Sequence, residues 1–303
     1  MLLDINSVVF TKEYYKRELI FRKPLTFHLM EGVSSCRKTG SGHLQLEQED
    51  NVMSIGAIAA IAAVLIFTIA VPLGIMFILA RAGGSWKDFL VGAVTFIVFA
   101  LVLERIFHFL ILQSGAGAAI QENIWIYGLY GGLAAGVFEE TGRFLAFRTV
   151  LRSRTAKVTS LAYGIGHGGV EAFLTAGLTM ASNLILGLTY SHGGSIPAEI
   201  VPAVESLLAI PATMFLWSGF ERLAAIALHM ALSILVFASV HTDRRWLYPA
   251  AILIHAAVDF AAVVSNAYLP VAATEILVMA LTAVSLLWAA QIYKNLSTAT
   301  ETP

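Results

Sequence analysis

The sequence predicts an all-α protein: a polytopic bundle of about seven membrane-spanning helices, plus one short re-entrant or interfacial helix. Three observations predict it. Of 303 residues, 58% are hydrophobic and only 13% are charged, about half the charged share of a soluble domain. The apolar residues form continuous runs of about 20 residues or more, the length that crosses a bilayer as a helix. Lys and Arg collect in alternate turns between those runs. Lipid cannot satisfy open backbone groups, so every run must be helical.

Residues 1–52 differ in character from the rest of the chain. They hold seven of the 19 Lys and Arg residues, seven acids and no long apolar run. No signal-peptide pattern is present, because no apolar core succeeds the early charges. We expect 1–52 to be a weakly ordered extension from an upstream start, with the native protein beginning at Met53. The membrane domain is then 53–296, and 297–303 is a short tail.

The spans are 54–80, with Pro72 placed to kink it, then 89–112, 124–148 and a long Gly-rich run at 158–189. A weaker stretch, 198–212, carries Pro202, Glu205 and Pro211 and reads as the interfacial or re-entrant helix. Spans 213–240, 246–266 and 270–293 complete the set. Arg81 and Lys87 flank the first turn. Arg148, Arg152, Arg154 and Lys157 fill the third, Arg244 and Arg245 the fifth, and Lys294 comes after the last span. Loops 113–123, 190–202 and 267–269 contain no Lys or Arg. Positive loops stay inside, so the membrane domain is expected in the plasma membrane with its N-terminus outside and its C-terminus inside. Residues 1–52 would then have to carry seven basic side chains across the membrane, which is the reason to set them apart.

Net charge is −1, which gives no basis for a nucleic-acid partner. The lone cysteine, Cys36, excludes an intrachain disulfide framework and a cysteine-rich metal site.

Charges at membrane depth cost at least a few kcal/mol each and mark function by default. Span 124–148 carries Glu139, Glu140 and Arg143. The next carries His167 and Glu171, i and i+4 on one helix face. Span 213–240 carries Glu221, Arg222 and His229, and span 246–266 carries His255 and Asp259, again i and i+4. Counted from the nearest basic loop at 1.5 Å per residue, Glu139, His167, His229 and His255 all lie roughly 13–18 Å deep. We expect them to meet in one polar cavity, with one of the adjacent acids facing it, since neighbours on a helix point about 100° apart.

Three chemistries suit that set. A carboxylate assisted by a histidine deprotonates water while other histidines hold the oxyanion. Alternatively His167, His229 and His255 with a carboxylate bind zinc, although no HExxH pattern is present. Or the acids and histidines form the proton relay of a transporter. Among supporting groups, Arg143 reads as the counter-charge of Glu139 and Glu171 as the partner that orients a histidine. Glu221 with Arg222, and Glu104 with Arg105 and His108, read as structural clusters. His192 reads as a solvated loop residue. Trp125, Tyr127 and Trp246 read as interfacial anchors.

Glu139-Glu140-x-x-Arg143, His167-x-x-x-Glu171, an isolated His229 and His255-x-x-x-Asp259, in that order on four spans, resemble the YhfC family of intramembrane proteases. That family groups with the CAAX prenyl endopeptidases, the bacteriocin-processing and immunity proteins and the PrsW proteases. The resemblance covers about 54–294. It implies hydrolysis of a membrane-embedded or membrane-proximal peptide, with Glu139 or Glu140 activating water and His167 assisting. His229 and His255 would hold the water or oxyanion, and Asp259 would orient His255. The sequence departs from the CAAX enzymes: two residues, not three, separate its acid pair from the arginine, and Glu171 comes after His167 as in a PrsW-like arrangement. Nothing points to a prenylated substrate. The adjacent acids favour a metal-free glutamic mechanism, with no cofactor; zinc is the alternative. A proton-coupled transporter and an inactive peptide-binding scaffold are the competing functions, and the absence of an internal repeat counts against the first.

Overall fold

The computed structural model describes residues 52–296, and among them the regular structure is helical, without strands. The expected extension and tail lie outside the described residues, apart from Val52. Helix α1 is Ile55–Arg81. Trp86–Phe96 (α2), a π-helical stretch at Ile97–Glu104 and Arg105–Leu112 (α3) form one continuous rod. Then come the short Gly117–Glu122 (α4) and Ile124–Arg148 (α5). Val158–Ala172 (α6), a second π-helical stretch at Phe173–Gly177 and Leu178–Ser191 (α7) form another rod. A turn of 3-10 helix leads into Val201–Leu208 (α8), which precedes Ala212–His241 (α9), Leu247–Tyr268 (α10) and Val271–Lys294 (α11).

Six of these rods are long and apolar enough to cross a membrane. The seventh, α5, has 25 residues, about 37 Å of helix. It falls outside that apolar set because Glu139, Glu140 and Arg143 sit in its C-terminal half. Residues 198–212 form only the eight-residue α8 after a 3-10 turn, in keeping with a short interfacial element. Two features go beyond the sequence reading: the π-helical stretches, and α4 inside the loop 113–123.

Helix starts are chemically marked. Ser54 Oγ accepts from the Ala57 N–H, and Asn123 Oδ1 accepts from the N–H groups of Trp125 and Ile126. Pro211 and Pro270 precede α9 and α11, where a missing N–H breaks no helical bond. On the basic-loop side, Arg154 donates twice to the fully buried Asp88, at 3.1 Å each, and ties loop 149–157 to the start of α2.

Helix α5 lies along α10, and α6 is wedged between α1, α2 and α9, while α11 backs α9. The wedge is tight because α2 and α6 meet backbone to backbone. A Cβ on Gly166 would lie 2.0 Å from the Phe89 carbonyl oxygen, and one on Gly92 would lie 2.2 Å from that of Tyr163. Neither position has room for a methyl group. Gly166→Ala should therefore destabilise the protein by about 1–3 kcal/mol as the helices are forced apart. A melting curve in detergent unchanged by this substitution would contradict the packing described.

Candidate active site

Four long helices, α5, α6, α9 and α10, bring polar groups together at one level. From α5, Glu139 and Glu140 point to different histidines. His167 Nε2 of α6 lies 2.8 Å from Glu139 Oε2, and His255 Nδ1 of α10 lies 2.9 Å from Glu140 Oε1. The 100° between neighbours thus spreads the two acids over two partners, and both belong to the cluster. Contrary to the sequence reading, Arg143 is not the counter-charge of Glu139. Its Nη1 pairs with Glu140, one short turn back.

Arg143 also fixes the state of a histidine. Its Nη2 lies 3.0 Å from His229 Nδ1, and a guanidinium can only donate. His229 Nδ1 must therefore accept, which leaves the ring proton on Nε2. That nitrogen lies 2.5 Å from Glu171 Oε2. Glu171 Oε1 in turn accepts from Arg222 Nη1 at 2.8 Å, and Arg222 also pairs with Glu221. Asp259 stands 3.6 Å from His255 Nε2, beyond hydrogen-bond length, so Glu140 rather than Asp259 orients that ring. The result is one connected chain, Arg222–Glu171–His229–Arg143–Glu140–His255.

The rings lie close together: His167 and His229 have centroids 4.7 Å apart, and His229 meets His255 edge-on at 5.3 Å. Phe96 and Tyr163 close over His167. Arg143, Glu140 and His167 are fully buried, and Glu139, His229 and His255 are 6% exposed or less.

Of the three histidines suggested as metal ligands, His255 is held away by Glu140. Glu139 takes its place: one donor atom each from Glu139, His167 and His229 lie within 4.8 Å of one another. Zinc held tetrahedrally at about 2.0–2.1 Å sets its donors roughly 3.3 Å apart. The separations here, 2.8 Å from Glu139 Oε2 to His167 Nε2 and 3.9 Å to His229 Nδ1, bracket that value.

Arg222 is the residue that sequence reasoning placed outside the site. A signal was present: it precedes His229 by seven residues, two turns along the same face of α9. Glu104 and His108 form their own cluster with Tyr130, whose hydroxyl lies 2.8 Å from His108 Nδ1. His192 is exposed and leans on the Leu188 carbonyl, while Trp125, Tyr127 and Trp246 are exposed near helix starts.

The family model described as YhfC intramembrane metalloprotease matches residues 64–283, from α1 into α11, and so contains every residue named above as part of the site. A curated relative, Uncharacterized membrane protein YhfC of Bacillus subtilis (strain 168), is 36% identical over 230 residues. The alignment covers 72% of this chain and 89% of the relative. No solved structure matches. Together with the six apolar rods, these matches make the chain a multi-pass membrane protein. It belongs to the YhfC intramembrane metalloprotease family.

Proposed function

We propose that the protein hydrolyses peptide bonds of membrane segments at a water held by Glu139 and His167. One observation carries this reading: a carboxylate and an imidazole 2.8 Å apart, buried, with two more histidines facing them from separate helices. The Glu139 carboxylate takes a proton from water as the water oxygen bonds to the carbonyl carbon, hands it to His167 across their 2.8 Å contact, and His167 delivers it to the amine as the C–N bond breaks. His255 Nδ1 is committed to Glu140. Its Nε2 has no hydrogen bond, and when protonated it presents a donor to the developing oxyanion. Asp259, 3.6 Å away, supplies a negative charge to balance the imidazolium. Arg143 Nη2 at 3.0 Å and Glu171 Oε2 at 2.5 Å flank the two ring nitrogens of His229.

The family's description raises the question of a metal. Glu139, His167 and His229 would hold it, as the two-imidazole, one-carboxylate set common at catalytic zinc. Bound there, zinc supplies Lewis-acid polarisation of a water or carbonyl oxygen. The metal-free version is favoured by one contact: the His229 Nδ1 lone pair already accepts from Arg143. The distribution of basic loops supports a membrane domain with its N-terminus outside and its C-terminus inside the plasma membrane.

The test is a cleavage assay with purified protein and a panel of membrane peptides, run beside metal analysis. In the zinc version, chelation abolishes cleavage, added zinc restores it, and His167→Ala lowers bound zinc. Full cleavage by metal-stripped protein would leave Glu139 as the base and remove the metal. No cleavage of any peptide by zinc-loaded protein would count against the peptidase reading itself.

A further inference from the structure

The four site helices share a gradient of exposure along their length. Towards the basic loops they are sealed. On α5, Arg143 and Phe147, one and two turns from Glu139, are 0% exposed. Tyr163 on α6, Ser233 on α9 and Ala251 on α10, each one turn from its histidine, are also 0% exposed. Phe147, Tyr163, Leu235, Phe237 and Leu247 belong to one apolar core cluster that closes this side as a floor.

Towards the other face the polar chain opens. The His229 side chain is 4% exposed, that of Glu171 15% and that of Glu221 43%. From His255 at 4%, the next turn of α10 brings Asp259 at 37%. Thr175, bonded to Arg222, is exposed. Charged groups at membrane depth face a water-filled cavity rather than acyl chains. The walls agree with this, because α3 and α5 do not pack closely against α7 among the described residues.

We infer that the chamber is loaded from the face that carries Gly115 and His192, opposite the basic loops. With the orientation given above, that is the extracytoplasmic face. This sets the substrate class, resting on the peptidase reading: segments whose scissile bond is reached from the outer leaflet or from outside, and not cytosolic tails.

The opening is tested without any substrate. Cys36, the lone cysteine, is replaced by Ser, and single cysteines are introduced in the full-length protein in sealed vesicles of known sidedness. Gly115→Cys and the exposed Ser153→Cys mark the two faces; a side chain at 115 meets no neighbour. Thr175→Cys reports the crevice, with Glu221→Cys as a second reporter if the first fails to insert, and Ser233→Cys reports the floor. A membrane-impermeant maleimide, which reacts with hydrated thiolate, should label Thr175→Cys from the Gly115 side. Ser233→Cys should resist labelling from the Ser153 side. Labelling of the crevice reporters only from the Ser153 side, or from neither side while Gly115→Cys reacts, overturns the inference. Because the readout is independent of cleavage, an inactive protein still decides it.

Discussion

Replacing Glu139 by Gln should reduce peptide cleavage by about 10²–10⁴-fold, the usual contribution of a positioned acid–base group. The fold should persist. Gln matches Glu in size and can still hydrogen-bond His167 Nε2 across the 2.8 Å gap. What is lost is the basicity of the carboxylate and, in the zinc version, an anionic ligand. The charge change is tolerable because Arg143 is paired with Glu140, so neutralising Glu139 strands no buried cation. Glu140→Gln is the contrasting variant: it removes the direct partner of Arg143 and should lower stability as well as activity. Purified Glu139→Gln protein with wild-type melting and wild-type cleavage would sink the assignment of this carboxylate to the water.

The sequence makes the level of the site legible, because depth in a membrane helix can be counted from its flanking charges. Glu139, His167, His229 and His255 are spread over more than a hundred residues of chain, yet each lies about ten residues from a basic or polar helix end. Which acid meets which histidine is not legible. It depends on the rotation of α5 about its axis, and that rotation is set by how α5 seats on α10. A Cβ at Gly132 would lie 2.5 Å from the Ala256 carbonyl oxygen, and one at Gly136 would lie 2.6 Å from that of Ile252. Spacing alone also cannot choose between Glu139, four residues from Arg143, and Glu140, three residues away, since both separations bring helical side chains together. Arg222 escapes a sequence reading for a related reason. Its link to Glu171 runs between α6 and α9, and only their close approach turns an apparent local pair with Glu221 into an extension of the site. The π-helical stretches obey no local composition rule that would mark them in advance.

Arg143→Ala should be the most destabilising single change in the site. The guanidinium is fully buried, pairs with Glu140, donates to His229 and lies 6.0 Å from the Tyr163 ring. Removing one member of a buried ion pair costs about 3–5 kcal/mol, because the other charge is left without compensation. For a protein of this size that corresponds to a drop in Tm on the order of 10 °C. The loss belongs to the stranded Glu140 carboxylate rather than to the missing side-chain volume, and a variant that removes both charges at similar volume separates the two. Arg143→Met with Glu140→Gln removes both charges and keeps most of the volume, so it should melt well above Arg143→Ala. If the double variant melts at or below the temperature of Arg143→Ala, the pair is not what holds this level of the bundle together. If it recovers stability without activity, then burying two opposite charges here serves the chemistry: Arg143 keeps Nδ1 of His229 unprotonated and Glu140 keeps His255 in place, functions that an uncharged pair of similar size cannot perform.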